Sequence, residues 1–187
     1  MKNFKAEPWV LPQPVAIIGT YNADGTPNAM NAAWVAPCDY DKLLITLGNH
    51  ATTDNLARCS DFTVALATED TVVAADYVGV VSGRKEPDKI AKTGWKAVKG
   101  EKVNAPVFDV FPMTLECRIS QKSGEDEGGY MLVGEILNIQ VDEKYLDAKG
   151  RPDVEKMKII TYNPVDNTYI VLGKTVGKAF HDGLKLK

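Results

Sequence analysis

Polar and apolar residues alternate over several short stretches of this chain, which is the pattern of half-buried β-strands. The clearest alternation runs through "PMTLECRIS" (112–120), where every second side chain is apolar. Four further runs are apolar strand candidates bounded by turn-forming residues, namely "PVAIIGTY" (14–21), "KLLITLG" (42–48), "DFTVALA" (61–67) and "NTYIVLG" (167–173). About six to eight short strands are therefore expected, as in an antiparallel barrel.

Two places along these strands predict a change in the path of the chain, one a hairpin turn and the other a β-bulge. Asp24-Gly25 predicts a tight hairpin after the first strand, so that the returning strand is "TPNAMNAAWVAP" (26–37). In "YMLVGEILNIQVD" (130–142) the apolar positions change parity between Ile136 and Leu137. A period of two cannot change faces without an extra residue, which predicts a β-bulge near Glu135 to Leu137.

Other stretches lack strand alternation and predict short helices. "NHATTDNLARCS" (49–60) is one such stretch, with Thr52 or Thr53 available as the N-cap. "DTVVAADYVGVVSG" (70–83) predicts a helix that ends near Gly79, and "EPDKIAKTG" (86–94) predicts a helix that stops at Gly94. The fold class is therefore mainly β, with a few short helices outside an antiparallel barrel, and residues 1–187 are expected to form one domain.

Composition narrows the class of protein without identifying it. A net charge of -3, with 44% hydrophobic and 25% charged residues, is ordinary for a soluble globular chain, so neither nucleic acid nor a membrane is expected as a partner. The N-terminus lacks the apolar core of a secretory signal. The odd, widely spaced cysteines Cys38, Cys59 and Cys117 predict partly buried thiols in a cytoplasmic protein rather than a disulfide framework.

"LGNHATTDNL" (47–56) is the first candidate site. A strand ends at Gly48 and a helix is predicted to begin shortly after it, close to the hydroxyls of Thr52 and Thr53. The first N–H groups of a helix have no intrahelical partner and lie at its positive end, so this arrangement can bind a phosphate. Ordinary N-capping uses the same residue types and remains an alternative.

The small residues Asn31, Ala32 and Ala33, followed by Trp34, form a second candidate site. A flat aromatic ligand needs a slot in which it can lie against the main chain, and small side chains leave that space. Trp34 could then stack on one side of the ligand. Tight strand packing in a small barrel explains the same residues equally well.

The loop "VVSGRKEPDKI" (80–90) contains Ser82, Gly83, Arg84, Lys85 and Lys89. These residues could hold a polyanion through charge-assisted hydrogen bonds, whereas a solvated basic turn is the simpler interpretation of Arg84 and Lys85.

Other chemistries find little support in the sequence. His50 and His181 are far apart and have no ligands nearby in sequence, so no metal site is expected. The chain carries neither a nucleophile elbow, nor a P-loop, nor a dinucleotide-binding glycine fingerprint, and no catalytic side chain is assigned. The acidic stretch Glu125 to Glu127 is interpreted as a solvated turn.

Taken in order, six segments of the chain resemble the flavin reductase-like family of FMN-binding split barrels, and in particular its flavoredoxin-type branch. They are "PVAIIGTYNADGTPNAMNAAWVAP", "LITLGNHATTDNLARCSDFTVAL", "ADYVGVVSGRKEPDKIAKTGW", "FPMTLECRI", "YMLVGEILNIQVDEKYLD" and "YIVLGKTVGKAF". The resemblance implies a homodimeric, six-stranded Greek-key split barrel with FMN near the dimer interface, and with residues 1–12 and 174–187 as extensions.

The resemblance also implies roles for individual residues. The isoalloxazine ring of FMN would meet Asn31, Ala32, Ala33 and Trp34. The ribityl chain and phosphate would meet a second group of residues, which are Asn49, His50, Ala51, Thr52, Thr53 and Asn55. Ser82, Gly83 and Lys89 would approach the cofactor from the far side.

One departure from the family pattern bears on function. Many reductases of this family carry a Gly-Asp-His element whose histidine is associated with NAD(P)H use, and the corresponding residues here are Gly128-Gly129-Tyr130. Three hypotheses follow: an FMN-dependent oxidoreductase, which is either an NAD(P)H:flavin reductase or an acceptor reductase; a non-enzymatic FMN electron carrier; and a cofactor-free binding barrel. The expected electron donor is NAD(P)H or a redox protein.

Overall fold

The fold is built around one antiparallel sheet of seven strands in the computed structural model, which describes residues 1–124 and 130–187. The strands of this sheet are β2 (Ala16–Tyr21), β3 (Pro27–Ala32), β4 (Val35–Asp39), β5 (Lys42–Leu47), β6 (Asp61–Leu66), β9 (Met113–Ser123) and β10 (Tyr130–Val141), in the order β3-β2-β6-β9-β10-β5-β4. The acidic stretch Glu125 to Glu127 lies outside the described residues. The mainly β, antiparallel fold class predicted from the sequence is confirmed.

Two smaller sheets accompany the large one. A three-stranded sheet contains β1 (Gln13–Pro14), β11 (Ile160–Asn163) and β12 (Thr168–Val171), and a two-stranded sheet contains β7 (Ala97–Lys99) and β8 (Pro106–Phe108).

The stretch 26–37 forms two strands, so the prediction of a single returning strand is wrong. β3 ends at Ala32 and β4 begins at Val35, and these two strands lie at opposite edges of the seven-stranded sheet. Because only Ala33 and Trp34 connect the two edges, the sheet must curl until they approach each other. The separate edge strand β4 also explains why the sheet has seven strands instead of six.

The predicted bulge in β10 is confirmed. The pairing of β10 with β9 shifts register between Ile136 and Asn138, and a second shift lies between Val133 and Gly134. The first shift leaves Leu137 without a paired residue, which lets the apolar positions change from one face of the strand to the other.

In the described parts of the chain, four α-helices lie around the sheet: α1 (Ala51–Arg58), α2 (Val72–Val80), α3 (Lys89–Thr93) and α4 (Val154–Met157). Short 3₁₀ turns occupy Glu69–Thr71, Glu143–Tyr145 and Asp182–Leu186. Gly94 ends α3 in the left-handed conformation, with φ of 75°, as predicted from the sequence.

The N-cap of α1 is His50, so the prediction of Thr52 or Thr53 at that position is wrong. The backbone of His50 is extended (φ -133°, ψ 168°), as a residue just outside a helix requires. The Thr53 hydroxyl accepts a hydrogen bond of 2.9 Å from the His50 N–H. Thr53 therefore caps the helix from its third position, and the helix begins earlier than its hydroxyl residues suggested.

Buried apolar side chains form two clusters on the two faces of the curled sheet. One cluster includes Ile18, Ile45, Phe62 and Leu132 and fills the barrel. The other lies beneath α2 and α3 and contains the edge-to-face pair of Trp95 and Phe111, whose ring centroids are 4.9 Å apart. This second cluster holds α2 and α3 in fixed positions against β3.

The three cysteines are free and differ in exposure. Cys117 is buried in the barrel, where burial raises the pKa of its thiol to about 12, so the thiol stays protonated and unreactive. Cys59 is half-buried, whereas Cys38 is exposed on the edge strand β4. The expectation of partly buried thiols is therefore wrong for Cys38, because that part of the chain forms an edge of the sheet.

Candidate functional site

A cleft of about 400 Å³ lies where the start of α1, the end of α2 and the middle of β3 meet. Seven residues predicted as cofactor contacts line this cleft, namely Asn31, His50, Ala51, Thr52, Ser82, Gly83 and Lys89. They come from three segments that are distant in the sequence. The fold thus brings most of the predicted site together in one place.

The N-terminus of α1 offers unpaired hydrogen-bond donors to the cleft. The N–H groups of Thr53 and Asp54 donate to the His50 carbonyl at 3.1 and 3.2 Å. In the described part of the chain, the N–H groups of Ala51 and Thr52 have no acceptor. Since the positive end of the helix dipole lies here, this corner favours an anion.

The two threonines of α1 have different roles. Thr52 is 1% exposed, and its oxygen accepts a hydrogen bond of 3.0 Å from the Asn28 side-chain amide. Its hydroxyl hydrogen has no acceptor among the residues that the structure describes, so it can donate to a ligand in the cleft. The Thr53 hydroxyl instead donates to the His50 carbonyl at 2.6 Å and belongs to the helix cap.

Asn55 was predicted to contact the cofactor, but it lies outside the lining of the cleft. It is buried, and its side-chain amide donates to Thr20 Oγ1 at 2.9 Å and to Asn22 Oδ1 at 3.1 Å. Arg58 donates to the side-chain oxygen Oδ1 of Asn55. Asn55 therefore fastens α1 to the first hairpin and supports the site from behind.

Arg84 fastens the loop after α2 to the start of α1. Its guanidinium donates to both carboxylate oxygens of Asp54, at 2.8 and 2.9 Å, and also to the side chain of Asn49. These hydrogen bonds hold the pKa of the Asp54 carboxyl below its usual value. The sequence suggested a polyanion contact or a solvated turn for Arg84. It did not predict this ion pair, because Asp54 is 30 residues away in the sequence.

Lys89 brings a buried amine to the cleft. It is 3% exposed, and Nζ donates to the carbonyls of Val78 and Val81 at 3.0 and 2.9 Å. An ammonium group has three donors, so one remains for a ligand. Burial lowers the pKa of Lys89 to about 8, and it is also the main reason why the pKa of His50 is lowered. Among the described lining residues none is acidic, which makes the cleft a site for anions.

Gly83 lets the loop after α2 lie close to the side chains of Asn28 in β3 and Ala51 in α1. A Cβ on Gly83 would lie 2.6 Å from Asn28 Oδ1 and 3.3 Å from the Ala51 Cβ. Such distances leave no room for a side chain at this position. Asn28 was not among the residues predicted for the site, although a polar residue inside the apolar-polar pattern of β3 was the available signal.

The small-residue segment lies partly beside the cleft and partly away from it. Asn31 donates to the Ala75 carbonyl of α2 at 3.2 Å, and together with Ala33 it borders a second cavity next to the cleft. Ala32 is buried opposite Ala16 in the sheet, and Trp34 is 62% exposed. The two residues between Asn31 and Trp34 thus carry only methyl side chains.

These features fit a ligand that has a phosphate at one end and a flat ring at the other. The unpaired N–H groups, the Thr52 hydroxyl and the buried ammonium of Lys89 supply donors and positive charge for the phosphate. The close approach at Gly83 shapes the slot, and the Asn31–Trp34 segment offers main chain for a ring to lie against.

Comparison with known proteins defines the class. The model for the flavin reductase like domain matches residues 10–155. The chain is 32% identical to the flavoredoxin of Desulfovibrio vulgaris (Miyazaki F), with a TM-score of 0.92 over 98% of this chain and 99% of that one. It is 28% identical to the flavoredoxin from Methanosarcina acetivorans, with a TM-score of 0.89 over 100% of both chains. A search of curated protein sequences gave no match.

A more distant structure shares the fold alone. The FMN-binding protein from Thermus thermophilus with bound 1-cyclohex-2-enone is 17% identical and has a TM-score of 0.75, over 95% of this chain and 100% of that one. The chain therefore belongs to the flavin reductase-like family and, within it, to the flavoredoxin branch. The cofactor class that this membership supports is flavin.

Over residues 1–124 and 130–187, no helix combines the length and apolar character that crossing a bilayer requires. Within the same ranges, no group of three histidine, cysteine, aspartate or glutamate side chains is arranged to hold a metal ion.

Proposed function

We propose that this protein is an FMN-dependent redox protein that binds the FMN phosphate in the cleft at the start of α1. The observation that carries the proposal is the convergence of Lys89, Thr52 and the unpaired N–H groups of α1 on one cleft without acidic lining. The cofactor-free barrel is the weaker hypothesis, because it gives no partner to the unpaired N–H groups of α1 or to the third donor of the Lys89 ammonium.

When bound, the flavin supplies the hydride or electron transfer, and the protein supplies position and electrostatics. Lys89, Thr52 and the start of α1 would hold the phosphate. The main chain between Asn31 and Trp34 would donate hydrogen bonds to the edge of the ring and stabilise negative charge there. Arg84 and Asn55 would act indirectly, because they hold α1 in the position that the phosphate requires.

The electron donor separates two forms of this proposal. NAD(P)H would make the protein a reductase, and a redox protein would make it an electron carrier. Gly128-Gly129-Tyr130 replaces the family's histidine element and supports the carrier, although Gly128 and Gly129 lie outside the described residues. A cytoplasmic location remains a prediction that the cysteine content supports.

The experiment that tests the proposed function uses the purified protein. We expect flavin absorption bands, and we expect heat to release FMN rather than FAD, identified by chromatography. A colourless protein that leaves added FMN free in solution would contradict the proposal. Anaerobic mixing with NADH or NADPH then separates the two forms, because bleaching within seconds indicates a reductase and persistent colour indicates a carrier.

A homodimer is also proposed. Apolar side chains that are normally buried are exposed on the surface, including Trp34, Val73 and Val80. Exposed apolar surface of this kind is typical of a protein–protein contact. Light scattering on a size-exclusion column should give twice the chain mass, and the mass of a single chain would contradict the dimer.

The charge of Lys89 predicts how FMN affinity depends on pH. The pKa of Lys89 is about 8 in the folded protein, so its ammonium attracts the phosphate below pH 8 and is lost as the pH rises further. The second pKa of the phosphate is about 6, so the phosphate itself stays dianionic. We expect the Kd for FMN to rise about tenfold between pH 7 and pH 9, as measured by fluorescence titration. A Kd that stays constant over this range would contradict the role of Lys89.

Lys89→Met is the control for this pH dependence. The variant should bind FMN more weakly at pH 7, and its Kd for FMN should no longer rise between pH 7 and pH 9. The stability of the cofactor-free protein gives a second check, because its dependence on pH has the opposite sign to that of FMN affinity. Because the folded pKa lies below the ordinary 10.5, the free energy of unfolding of the cofactor-free protein should increase between pH 8 and pH 10.5. The variant should lose this increase as well.

A further inference from the structure

A cavity of about 420 Å³, which we call the inter-sheet cavity, lies between the seven-stranded sheet and the three-stranded sheet. Its lining comes from β4, β5, β6 and β9 on one side and from β1 and β11 on the other. None of its described lining residues also lines the cleft. Ala36, Pro37 and Leu172 belong to the lining and are exposed, so the cavity is open to the surface.

The lining of the inter-sheet cavity is almost entirely apolar. Leu43 and Val64 line it from the barrel. Its two polar residues are Gln13 and Thr161, and the Thr161 hydroxyl accepts from the Gln13 N–H at 2.9 Å and donates to the Gln13 carbonyl at 2.8 Å. The Gln13 side-chain amide donates to the Pro8 carbonyl. Because these polar groups already have partners, the cavity favours an apolar occupant over water.

The tail of the chain, residues 174–187, carries apolar side chains that are almost fully exposed. The exposed fraction is 94% for Val176, 103% for Phe180 and 94% for Leu186. Burial of such side chains is the main favourable term in protein association. Several of them in one short segment are therefore typical of a contact with another surface.

The tail is fixed to the rest of the molecule at its root. The N–H and the hydroxyl of Thr175 both donate to the Glu155 carboxylate of α4. Among the described residues, every hydrogen bond and ion pair of residues 176–187 joins two residues of that segment, such as the 2.7 Å bond from the Lys178 N–H to Asp182 Oδ2. Residues 176–187, which we call the arm, thus extend from a fixed point and leave the cavity of their own chain open.

The arm and the turn beside the inter-sheet cavity have opposite charges. The arm contains three lysines and one aspartate. Next to the cavity residue Leu43, the side chain of Lys42 is surrounded by Asp39, Asp41 and Glu135. This turn therefore has a net negative charge, and complementary charges of this kind favour one partner over others and speed association.

We propose that the inter-sheet cavity receives the arm of a second copy of this chain, with the Phe180 ring inside it and the lysines beside the acidic turn. The inference rests on the proposed homodimer and specifies a contact that stabilises it. A cavity of about 150 Å³ is enough to bind benzene, so the inter-sheet cavity has room for a phenyl ring and an aliphatic neighbour. Because both copies carry an arm and a cavity, one two-fold axis forms both contacts.

The first test measures the dissociation constant of the dimer by sedimentation velocity on a dilution series of the full chain. Phe180→Ser removes the ring that would fill the cavity, so we expect this constant to rise at least about tenfold, as for aromatic residues at the centre of an interface. Phe180 is fully exposed within its own chain, so the fold of the variant should be unchanged.

Val98→Ser is the control for this substitution. Val98 lies in β7, is 59% exposed and is not among the residues that line the inter-sheet cavity. The variant also replaces an exposed apolar side chain by serine, and its dimer dissociation constant should stay within a factor of about two of the wild type.

The second test shows which copy supplies the arm. In a background with Cys38→Ser and Cys59→Ser, one preparation carries Ala36→Cys at the cavity and another carries Ala179→Cys in the arm. The two preparations are mixed and oxidised gently, and the linked peptides are identified by mass spectrometry. A peptide that joins positions 36 and 179 can then arise only between two copies, and we expect to find it.

Two results would overturn the inference. In the first, the full chain is a dimer and Phe180→Ser leaves its dissociation constant unchanged, so that other contacts hold the dimer. In the second, positions 36 and 179 become linked only when both substitutions are in the same chain, so that the arm covers its own cavity. A full chain that stays monomeric at every concentration is a different outcome, because it contradicts the proposed homodimer itself.

Discussion

Gly83→Val is expected to weaken FMN binding about 100-fold, which corresponds to about 3 kcal/mol of strain from overpacking. The first atom of the new side chain would lie 2.6 Å from Asn28 Oδ1 and 3.3 Å from the Ala51 Cβ. Both neighbours line the cleft, so relief of the clash must move the wall against which the phosphate would lie. Titration of the cofactor-free variant with FMN, followed by flavin fluorescence, measures the change.

Gly173→Val is the control for this substitution. A Cβ at Gly173 would have no atom within 4 Å. The affinity of the Gly173→Val variant for FMN should therefore equal that of the wild type. Thermal unfolding of both variants separates local strain from loss of the fold. If Gly83→Val keeps the wild-type melting temperature and also the wild-type Kd, the cleft beside Gly83 is not the cofactor site.

Thr52→Val is expected to weaken FMN binding by about 1–3 kcal/mol, the range for the loss of a hydrogen bond to a charged group. Valine has nearly the same shape as threonine, so the substitution removes the hydroxyl without opening a cavity. The Thr52 hydroxyl is buried at the start of α1, and its hydrogen has no acceptor in the described part of the chain. Titration calorimetry at pH 7 gives the change in affinity directly.

Thr53→Val is the matched control one residue away. Its hydroxyl is used within the helix cap, where it accepts from the His50 N–H at 2.9 Å and donates to the His50 carbonyl at 2.6 Å. This variant should lose about 1 kcal/mol of unfolding free energy and should bind FMN within a factor of about three of the wild type. If Thr53→Val weakens FMN binding and Thr52→Val does not, the phosphate contact belongs to Thr53.

Local periodicity carried most of the information about the fold. The alternation in 112–120, the hairpin signal at Asp24-Gly25 and the parity change near Leu137 depend on interactions between close neighbours in the chain, and the sequence contains them directly. The division of 26–37 into two strands depends on closure of the sheet. Residues such as Ala33 and Trp34 carry no local signal that the chain passes from one edge to the other.

The candidate site was predictable only in part for the same reason. Thr52, Gly83 and Lys89 could be selected from their types and spacing, and the resemblance to a family grouped them. The pairing of Arg84 with Asp54 and the position of Asn55 behind α1 join segments far apart in the chain. Such contacts follow from the fold and cannot be deduced from any one segment.

A comparison of FMN with riboflavin tests the central claim most directly, since the two ligands differ only in the phosphate. If the start of α1, Thr52 and Lys89 hold that phosphate, two charge-assisted hydrogen bonds of about 1.5–3 kcal/mol each should make FMN bind at least about 100-fold more tightly at pH 7. The measurement is a fluorescence titration of the cofactor-free protein with each ligand. Equal dissociation constants would contradict the account, because the cleft would then contribute nothing to cofactor binding.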